Sequence, residues 1–264
     1  MKKLIIVVIT VILCNSCSTV PLTGRKQLNL VGDTEINQAA AQSYNQLLTD
    51  PKTTVINSGT NAQRVKRVGA QIAAAIESYF KANGYGDQYH FKWEFNLIQS
   101  NEVNAWCMPG GKVAVYSGLM PLAPTDADLA TVMGHEIGHA IARHSAERVS
   151  QQMAVQGVGG VVGAASSTSS QTTQTVVDQL YGVGGQLLLL KYSRGQESEA
   201  DRLGLTFMAM AGYDPHFAII FWQRMMAQNK TAAPPVLLAT HPADAARIAD
   251  IQNHIPEAMK YYKH

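Results

Sequence analysis

The sequence predicts an α+β fold that is mainly helical and contains a small β-sheet. Apolar residues recur at spacings of three and four over several long segments, as on one face of an α-helix. Only the region from Phe91 to Tyr116 has the aromatic, β-branched and alternating composition that favours strands. Hydrophobic residues make up 46% of the 264 residues and charged residues 15%, which is typical of a globular chain with a sizeable core. The formal net charge of +2 is too balanced to indicate a nucleic-acid partner.

The predicted elements follow one another without an internal repeat. Helices are predicted over Thr34 to Leu48, Asn61 to Ala82, Thr125 to Val149, Gln196 to Ala211, His216 to Gln228 and Pro242 to Asn253. A strand is predicted over Phe91 to Ile98, followed by a hairpin of Asn104 to Met108 and Lys112 to Tyr116 around Pro109-Gly110-Gly111. The small residues between Gly157 and Leu190 are consistent with either a loop or two loosely packed helices.

The N-terminus has the composition of an export signal. Lys2 and Lys3 precede the apolar stretch Leu4 to Leu13, which is about half of the ~20 residues that a helix needs to cross a bilayer. The following Cys14-Asn15-Ser16-Cys17 resembles the lipobox of bacterial lipoproteins, although Cys14 stands where Leu is usual. This resemblance implies a signal peptide at 1–16, acylation of Cys17 and a lipid-anchored tether at 17–33. Cleavage by ordinary signal peptidase, which would release a free exported protein, is the alternative.

The residue after the proposed lipid site bears on location. Ser18 stands where some lipoproteins carry the Asp that retains them in the inner membrane, so the outer membrane of a bacterial envelope is favoured, with the protein facing the periplasm. Removal of Cys14 and acylation of Cys17 would leave Cys107 without a disulfide partner. Such a lone cysteine is more commonly a buried thiol than a catalytic nucleophile.

The strongest chemical signal is His135-Glu136-Ile137-Gly138-His139. On a helix, His135 and His139 lie on one face and can reach one ion, while Glu136 sits about 100° round, beside an open metal position. Zinc accepts such ligands, and its bound water loses a proton readily to a nearby carboxylate. The chance expectation for this motif in a chain of this composition is on the order of one in a hundred.

Two imidazoles do not complete a catalytic zinc site, which usually has three protein ligands and a water. The best candidate for the third is Glu197, with Asp201 one helical turn further on and able to steady a ligand imidazole. Taken alone, these residues could equally be the solvated acidic start of a helix. Beside the H-E-x-x-H motif, the metal interpretation is favoured.

These and further segments together resemble the M48 zinc metallopeptidases. That family is related to the mitochondrial inner-membrane quality-control protease and to CAAX prenyl proteases, and its bacterial periplasmic lipoproteins show the greater likeness to this sequence. The resemblance rests on Thr23-Gly24-Arg25-Lys26-Gln27-Leu28, Asn104-Ala105-Trp106, Pro109-Gly110-Gly111, Ser117-Gly118-Leu119, Asp126 to Ala130 leading into the H-E-x-x-H helix, Tyr192-Ser193-Arg194, Glu197 with Asp201, Thr240-His241-Pro242 and Arg247-Ile248. In this order the segments cover nearly all of the chain after Cys17.

The resemblance implies a zincin-type peptidase domain over 34–264 with the gluzincin arrangement. One zinc per chain would be held by His135, His139 and Glu197, with Glu136 as general base and Asp201 behind a ligand. His241 would lie near the metal, to cover it or to bind the transition-state oxyanion; a role in capping the last helix is the alternative. The strand of Asn104 to Met108 would border the cleft, where an extended substrate could add as a further strand.

Two functions are compatible with the sequence. The first is a zinc endopeptidase that cleaves unfolded or misassembled proteins of the cell envelope while a lipid anchors it to the membrane. The second is a non-catalytic, chaperone-like lipoprotein that binds such proteins without cleaving them. The intact Glu136 favours the first, because a pseudoenzyme would most often lack the base or a ligand.

Overall fold

Helices make up most of the structure, a computed structural model that describes residues 17–30, 32–157, 192–228 and 235–263. They are α1 (Asp33–Thr49), α2 (Thr60–Ala82), α3 (Asp126–Ile141), α4 (His144–Gly157), α5 (Arg194–Met210), α6 (Phe217–Gln228), α7 (Val236–Thr240) and α8 (Ala245–Ala258). The strands are β1 (Cys17–Thr19), β2 (Lys26–Leu28), β3 (Val55–Ile56), β4 (Glu94–Ile98), β5 (Ala105–Met108) and β6 (Lys112–Tyr116). The predicted α+β class is confirmed. The predicted signal peptide and nearly all of the segment from Gly157 to Leu190 lie outside the described residues.

Four strands form a mixed sheet in the order β3-β4-β6-β5. The parallel pair is β4 with β6, in which Phe95 lies opposite Val113, and β5 pairs antiparallel with β6. The predicted hairpin is therefore confirmed, and its turn uses positive φ angles of 79° and 87° at Gly110 and Gly111, which suit glycine. The preceding strand is shorter than predicted, because it begins at Glu94 instead of Phe91. This arrangement places β5 at an edge of the sheet.

The central helix α3 begins where the sequence predicts. Thr125 is its N-cap: the Thr125 hydroxyl accepts a hydrogen bond from the Asp128 amide at 3.1 Å, and the Asp128 carboxylate accepts one from the Thr125 amide at 3.1 Å. The predicted continuation to Val149 is wrong, since the helix is interrupted after Ile141 and α4 starts at His144. Arg143 adopts a φ of +54° in between, outside the helical region. The interruption falls directly after the H-E-x-x-H motif.

The core is built around α3, which contacts both β5 and α5. Its apolar side chains Leu129, Met133 and Ile137 are fully buried. The amphipathic α2 contacts β4, α3 and α5, and its buried residues fall at the predicted helical spacing. Within the described ranges, no helix is both long enough and apolar enough to span a bilayer.

The segment predicted as a tether, residues 17–33, contains ordered structure. Strands β1 and β2 form an antiparallel hairpin in which Cys17 pairs with Leu28. This hairpin is attached to the helices, because Arg25 forms ion pairs with Glu147 and Glu199. An isolated strand pair of three residues each would not be stable alone, so contacts with α4 and α5 hold it in place.

Candidate metal centre

The two histidines of the motif project from one face of α3, as their i, i+4 spacing predicts. Their Nε2 atoms lie 3.1 Å apart, and both side chains are buried. Two buried imidazole nitrogens held this close form one side of a site for a cation.

Glu197 completes this pair from a different helix. It lies in the first turn of α5, which is capped by the Ser193 side chain. Its Oε1 is 3.3 Å from His139 Nε2, and its Oε2 is 3.6 Å from His135 Nε2. The sequence-predicted ligands are thus brought together at separations of 3.1–3.6 Å.

His241 joins the same cluster from the loop after α7. Its Nδ1 lies 2.9 Å from Glu197 Oε1 and 3.1 Å from His135 Nε2. The alternative role for this residue, capping of the last helix, is wrong, because the side chain of Asp244 caps α8 by accepting a hydrogen bond from the Arg247 amide. His241 is therefore a member of the donor cluster.

The spacing of these donors fits a metal ion. All four residues offer a ligand atom, and the four atoms lie within 4.8 Å of one another. Nitrogen and oxygen atoms bound tetrahedrally at about 2.0–2.1 Å stand roughly 3.3 Å apart, close to the 2.9–3.6 Å that separate Glu197 from the three histidines. The buried group of His135, His139, Glu197 and His241 could hold a metal ion.

The charge states of two predicted ligands also suit a metal. Burial lowers the pKa of His139 well below its usual value, so its imidazole is neutral near pH 7. Burial opposes ionisation of Glu197. The charge of His241 and hydrogen bonds with His139 and His241 outweigh burial and keep the pKa of this carboxyl far below its usual range. Neutral imidazole and ionised carboxylate are the forms that coordinate metals.

Glu136 lies beside the cluster without belonging to it. Its Oε1 is 3.5 Å from His241 Nε2, and among the described residues this buried oxygen has no hydrogen-bond partner. Burial raises the pKa of Glu136. A carboxylate oxygen without a hydrogen bond in such a place is available to take a proton from a small molecule at the cluster.

Asp201 stands behind His135. Its Oδ1 is 2.8 Å from His135 Nδ1, and its two oxygens accept hydrogen bonds at 2.8 Å from Arg247. Arg247 is itself buried, with its guanidinium 3.5 Å above the centroid of the Trp222 ring. No role for Arg247 was predicted from the sequence. Its position on the buried face of the otherwise apolar start of the last helix is the signal that could have identified it.

No role in the site was predicted from the sequence for His144 or Glu199 either. The Nδ1 atoms of His139 and His144 are 2.8 Å apart, and His144 Nε2 is 2.9 Å from Glu199 Oε2. His144 is fully buried, and Tyr192 stacks on the His139 ring with a centroid distance of 4.0 Å. A third histidine so soon after H-E-x-x-H was a usable signal. On the unbroken helix that was predicted, however, its side chain would not have faced His139.

A cleft leads to the cluster from the side of α1. It has a volume of about 310 Å³ and reaches His139. The turn of Pro109 and Gly110 lines it, directly after the edge strand β5.

Cys107, within β5, is a free and buried thiol whose pKa is raised well above the usual value by burial. This environment favours the unreactive thiol over a thiolate nucleophile.

Comparison with known proteins identifies the relatives of this chain. The sequence profile of Peptidase family M48 matches residues 60–255. The Mitochondrial metalloendopeptidase OMA1 of Schizosaccharomyces pombe is 32% identical over 242 residues, which are 91% of this chain and 67% of that protein. The protein of the same name from Arabidopsis thaliana is 34% identical over 174 residues, 65% of this chain and 34% of that protein.

A bacterial relative has a different name. The Beta-barrel assembly-enhancing protease of Yersinia pestis is 28% identical over 229 residues, which are 84% of this chain and 43% of that protein. The chain therefore spans about two-thirds of the fission-yeast relative and less than half of the plant and Yersinia relatives. The family profile covers most of the chain and includes all four residues of the donor cluster. The chain belongs to peptidase family M48 and is a metalloendopeptidase.

Proposed function

We propose that this protein is a zinc endopeptidase in which His135, His139 and Glu197 hold one zinc ion per chain and Glu136 is the general base. The observation that carries the proposal is the convergence of the three donors in one buried cluster, with Glu136 Oε1 beside it and accepting no hydrogen bond from the described residues. Two imidazoles and a carboxylate are a known donor set of catalytic zinc.

The division of labour follows from these positions. When bound, zinc supplies Lewis-acid activation of water and of the scissile carbonyl. Glu136 accepts the proton of the attacking water and passes it to the leaving amine. Asp201, held by Arg247, accepts a hydrogen bond from His135 Nδ1 and so directs the other nitrogen of that ring toward the cluster.

His241 covers the site in this proposal. A catalytic zinc site keeps a position open for water, whereas His241 Nδ1 stands in the fourth donor position of this cluster. Burial alone would lower the pKa of His241, but the charges of the Glu136 and Glu197 carboxylates raise it, and the ring is paired with Glu197. Hydrolysis would require this side chain to withdraw.

We further propose that the substrates are misfolded or misassembled proteins of a bacterial cell envelope. Support comes from the name of the Yersinia relative, which refers to β-barrel assembly, and from the lipobox-like segment that ends at Cys17. A lipid on Cys17 would hold the enzyme at the outer membrane, facing the periplasm. Unfolded segments could reach the centre through the cleft beside Pro109.

Zinc analysis tests the ligand assignment. The purified protein is expected to contain about one zinc per chain and to cleave casein in a chelator-sensitive manner. Replacement of His135, His139 or Glu197 by Ala should remove most of the zinc, because each change deletes a ligand. His241→Ala should retain it, because that residue covers the ion in this proposal. Full zinc content in Glu197→Ala protein would contradict the assignment.

A further inference from the structure

An unbroken series of contacts joins the N-terminal hairpin to the metal cluster. Thr23 Oγ1 donates to Glu199 Oε1 at 2.5 Å, and Arg25 Nε donates to Glu199 Oε2 at 2.6 Å. Glu199 Oε2 is 2.9 Å from His144 Nε2, and His144 Nδ1 is 2.8 Å from His139 Nδ1. Arg25 and Glu199, which are 174 positions apart in sequence, are thus part of one series of contacts that leads to His139.

The chemistry of the groups gives this series a direction. An ionised carboxylate only accepts hydrogen bonds, so His144 Nε2 carries the proton that faces Glu199. A neutral His144 ring with its proton on Nε2 offers Nδ1 as an acceptor to His139 Nδ1, which lies 2.8 Å away. His139 must donate from its own Nδ1, which leaves the lone pair of His139 Nε2 directed at the cluster.

The hairpin holds Glu199 at the outer end of the series. Arg25 is fixed by a second carboxylate, since its Nη1 and Nη2 donate to the two oxygens of Glu147 at 2.8 and 2.9 Å. Glu199 accepts hydrogen bonds from His144, Thr23 and Arg25. Without the hairpin, Glu199 would lose two of these three donors, which are those that the described residues provide.

The same design is present on the other imidazole of the motif. His135 is backed by Asp201, and Asp201 is backed by the buried Arg247. His139 is backed by Glu199 through His144, and Glu199 is backed by Arg25. In both cases a carboxylate of α5 is held by an arginine from a separate segment. Each histidine is thereby constrained to present Nε2.

We infer that Arg25 and Thr23 are positioning residues of the metal centre. Through Glu199 and His144 they fix the orientation of His139 and its tautomer, in which Nδ1 carries the proton and the Nε2 lone pair faces the cluster. This inference rests on the proposed function, because it assigns a use to a zinc ligand. It makes the hairpin a part of the peptidase site in place of a plain connection to the membrane.

The test is the zinc dissociation constant, measured with the full-length protein by competition with a chelator. Arg25→Ala should weaken zinc binding about 10-fold, at the lower end of the roughly 10–100-fold cost of losing an outer partner of a ligand. Arg25→Lys should recover part of the loss. The matched control is Arg202→Ala: Arg202 pairs with Glu257 in the same two-bond geometry, and its side chain is 32% exposed against 33% for Arg25. This control should bind zinc like the wild type.

A second readout separates positioning from general destabilisation. The visible spectrum of the cobalt-substituted protein should change in Arg25→Ala and stay unchanged in Arg202→Ala, since it reports on the ligands themselves. If Arg25→Ala does not fold, Thr23→Val, which removes one donor to Glu199 at similar volume, replaces it. Equal zinc constants and spectra in the hairpin variants and the control would overturn the inference alone. Absence of zinc binding in the wild type would overturn the proposed function with it.

Discussion

At the residue scale, Glu136 is buried in the protein, away from bulk water. It is buried next to a second carboxylate, Glu197, and its Oε1 lacks a hydrogen bond from any described residue. Loss of solvation raises its pKa, which makes it a better proton acceptor than an exposed glutamate. The local surroundings of this one residue therefore prepare it for the proposed chemistry.

Glu136→Gln separates the base from the metal ligands. The amide preserves size and can still form hydrogen bonds, but it cannot accept the proton of the water. Turnover should fall by at least the roughly 10²–10⁴-fold contributed by a general base, with zinc content and fold nearly unchanged. Peptidase kinetics and metal analysis on the same preparation measure both quantities. Near-normal proteolysis by zinc-loaded Glu136→Gln protein would rule out the mechanism.

At the scale of elements, the site depends on how closely α3 and α5 approach. A Cβ atom added to Gly204 of α5 would lie 2.7 Å from the backbone nitrogen of His135, and one added to Gly138 would lie 2.7 Å from the Ala200 carbonyl oxygen. Such distances leave no room for a side chain. The glycines allow the helix that carries the two histidines to meet the helix that carries Glu197.

Gly204→Ala should therefore damage both stability and metal binding. The new methyl group must push the two backbones apart, with an expected loss of about 1–3 kcal/mol, as for overpacked cores. Separation of His135 from Glu197 should also weaken zinc binding. Urea unfolding of the metal-free protein and a zinc competition assay measure the two effects.

Gly195→Ala is the control on the same helix, since its added Cβ would meet no atom of the described residues within 4 Å. This variant should be at least as stable as the wild type, because alanine favours helix more than glycine does. Equal stability of the two variants would show that the close approach of α3 and α5 does not limit the site.

At the scale of the whole molecule, the proposed lipid on Cys17 would determine where the peptidase domain works. Strand β1 begins at Cys17 and is paired from that residue, and Arg25 already contacts the helices. Eight residues reach at most about 29 Å even when fully extended. A lipid on Cys17 would consequently hold the metal centre close to the membrane surface.

Cys17→Ala tests this location in cells. The variant should lose metabolic labelling with fatty acid and move from the membrane to the soluble envelope fraction, because the proposed anchor is gone. Zinc content should be unchanged, since the hairpin contacts through Arg25 remain. Labelling that persists in Cys17→Ala cells would place the lipid at Cys14 or elsewhere.

Local rules were enough to predict much of the fold and part of the site from the sequence. Helix periodicity places His135 and His139 on one face, the cap at Thr125 begins their helix, and the Pro-Gly-Gly turn produces the β5–β6 hairpin. Asp201 one turn after Glu197 follows the same helical geometry. Each of these features depends on residues a few positions apart, where backbone geometry alone sets the outcome.

Only the tertiary structure decided which distant groups meet. The break at Arg143 turns His144 back to His139, and the contact of His241 with His135 spans 106 positions. Arg25 likewise reaches Glu199 from the far end of the chain. Such contacts arise where separate elements pack together and buried charges must find partners. The local sequence pattern does not indicate those partners. The groups behind the proposed ligands, such as His144, Glu199 and Arg25, could therefore be identified only from the packed structure.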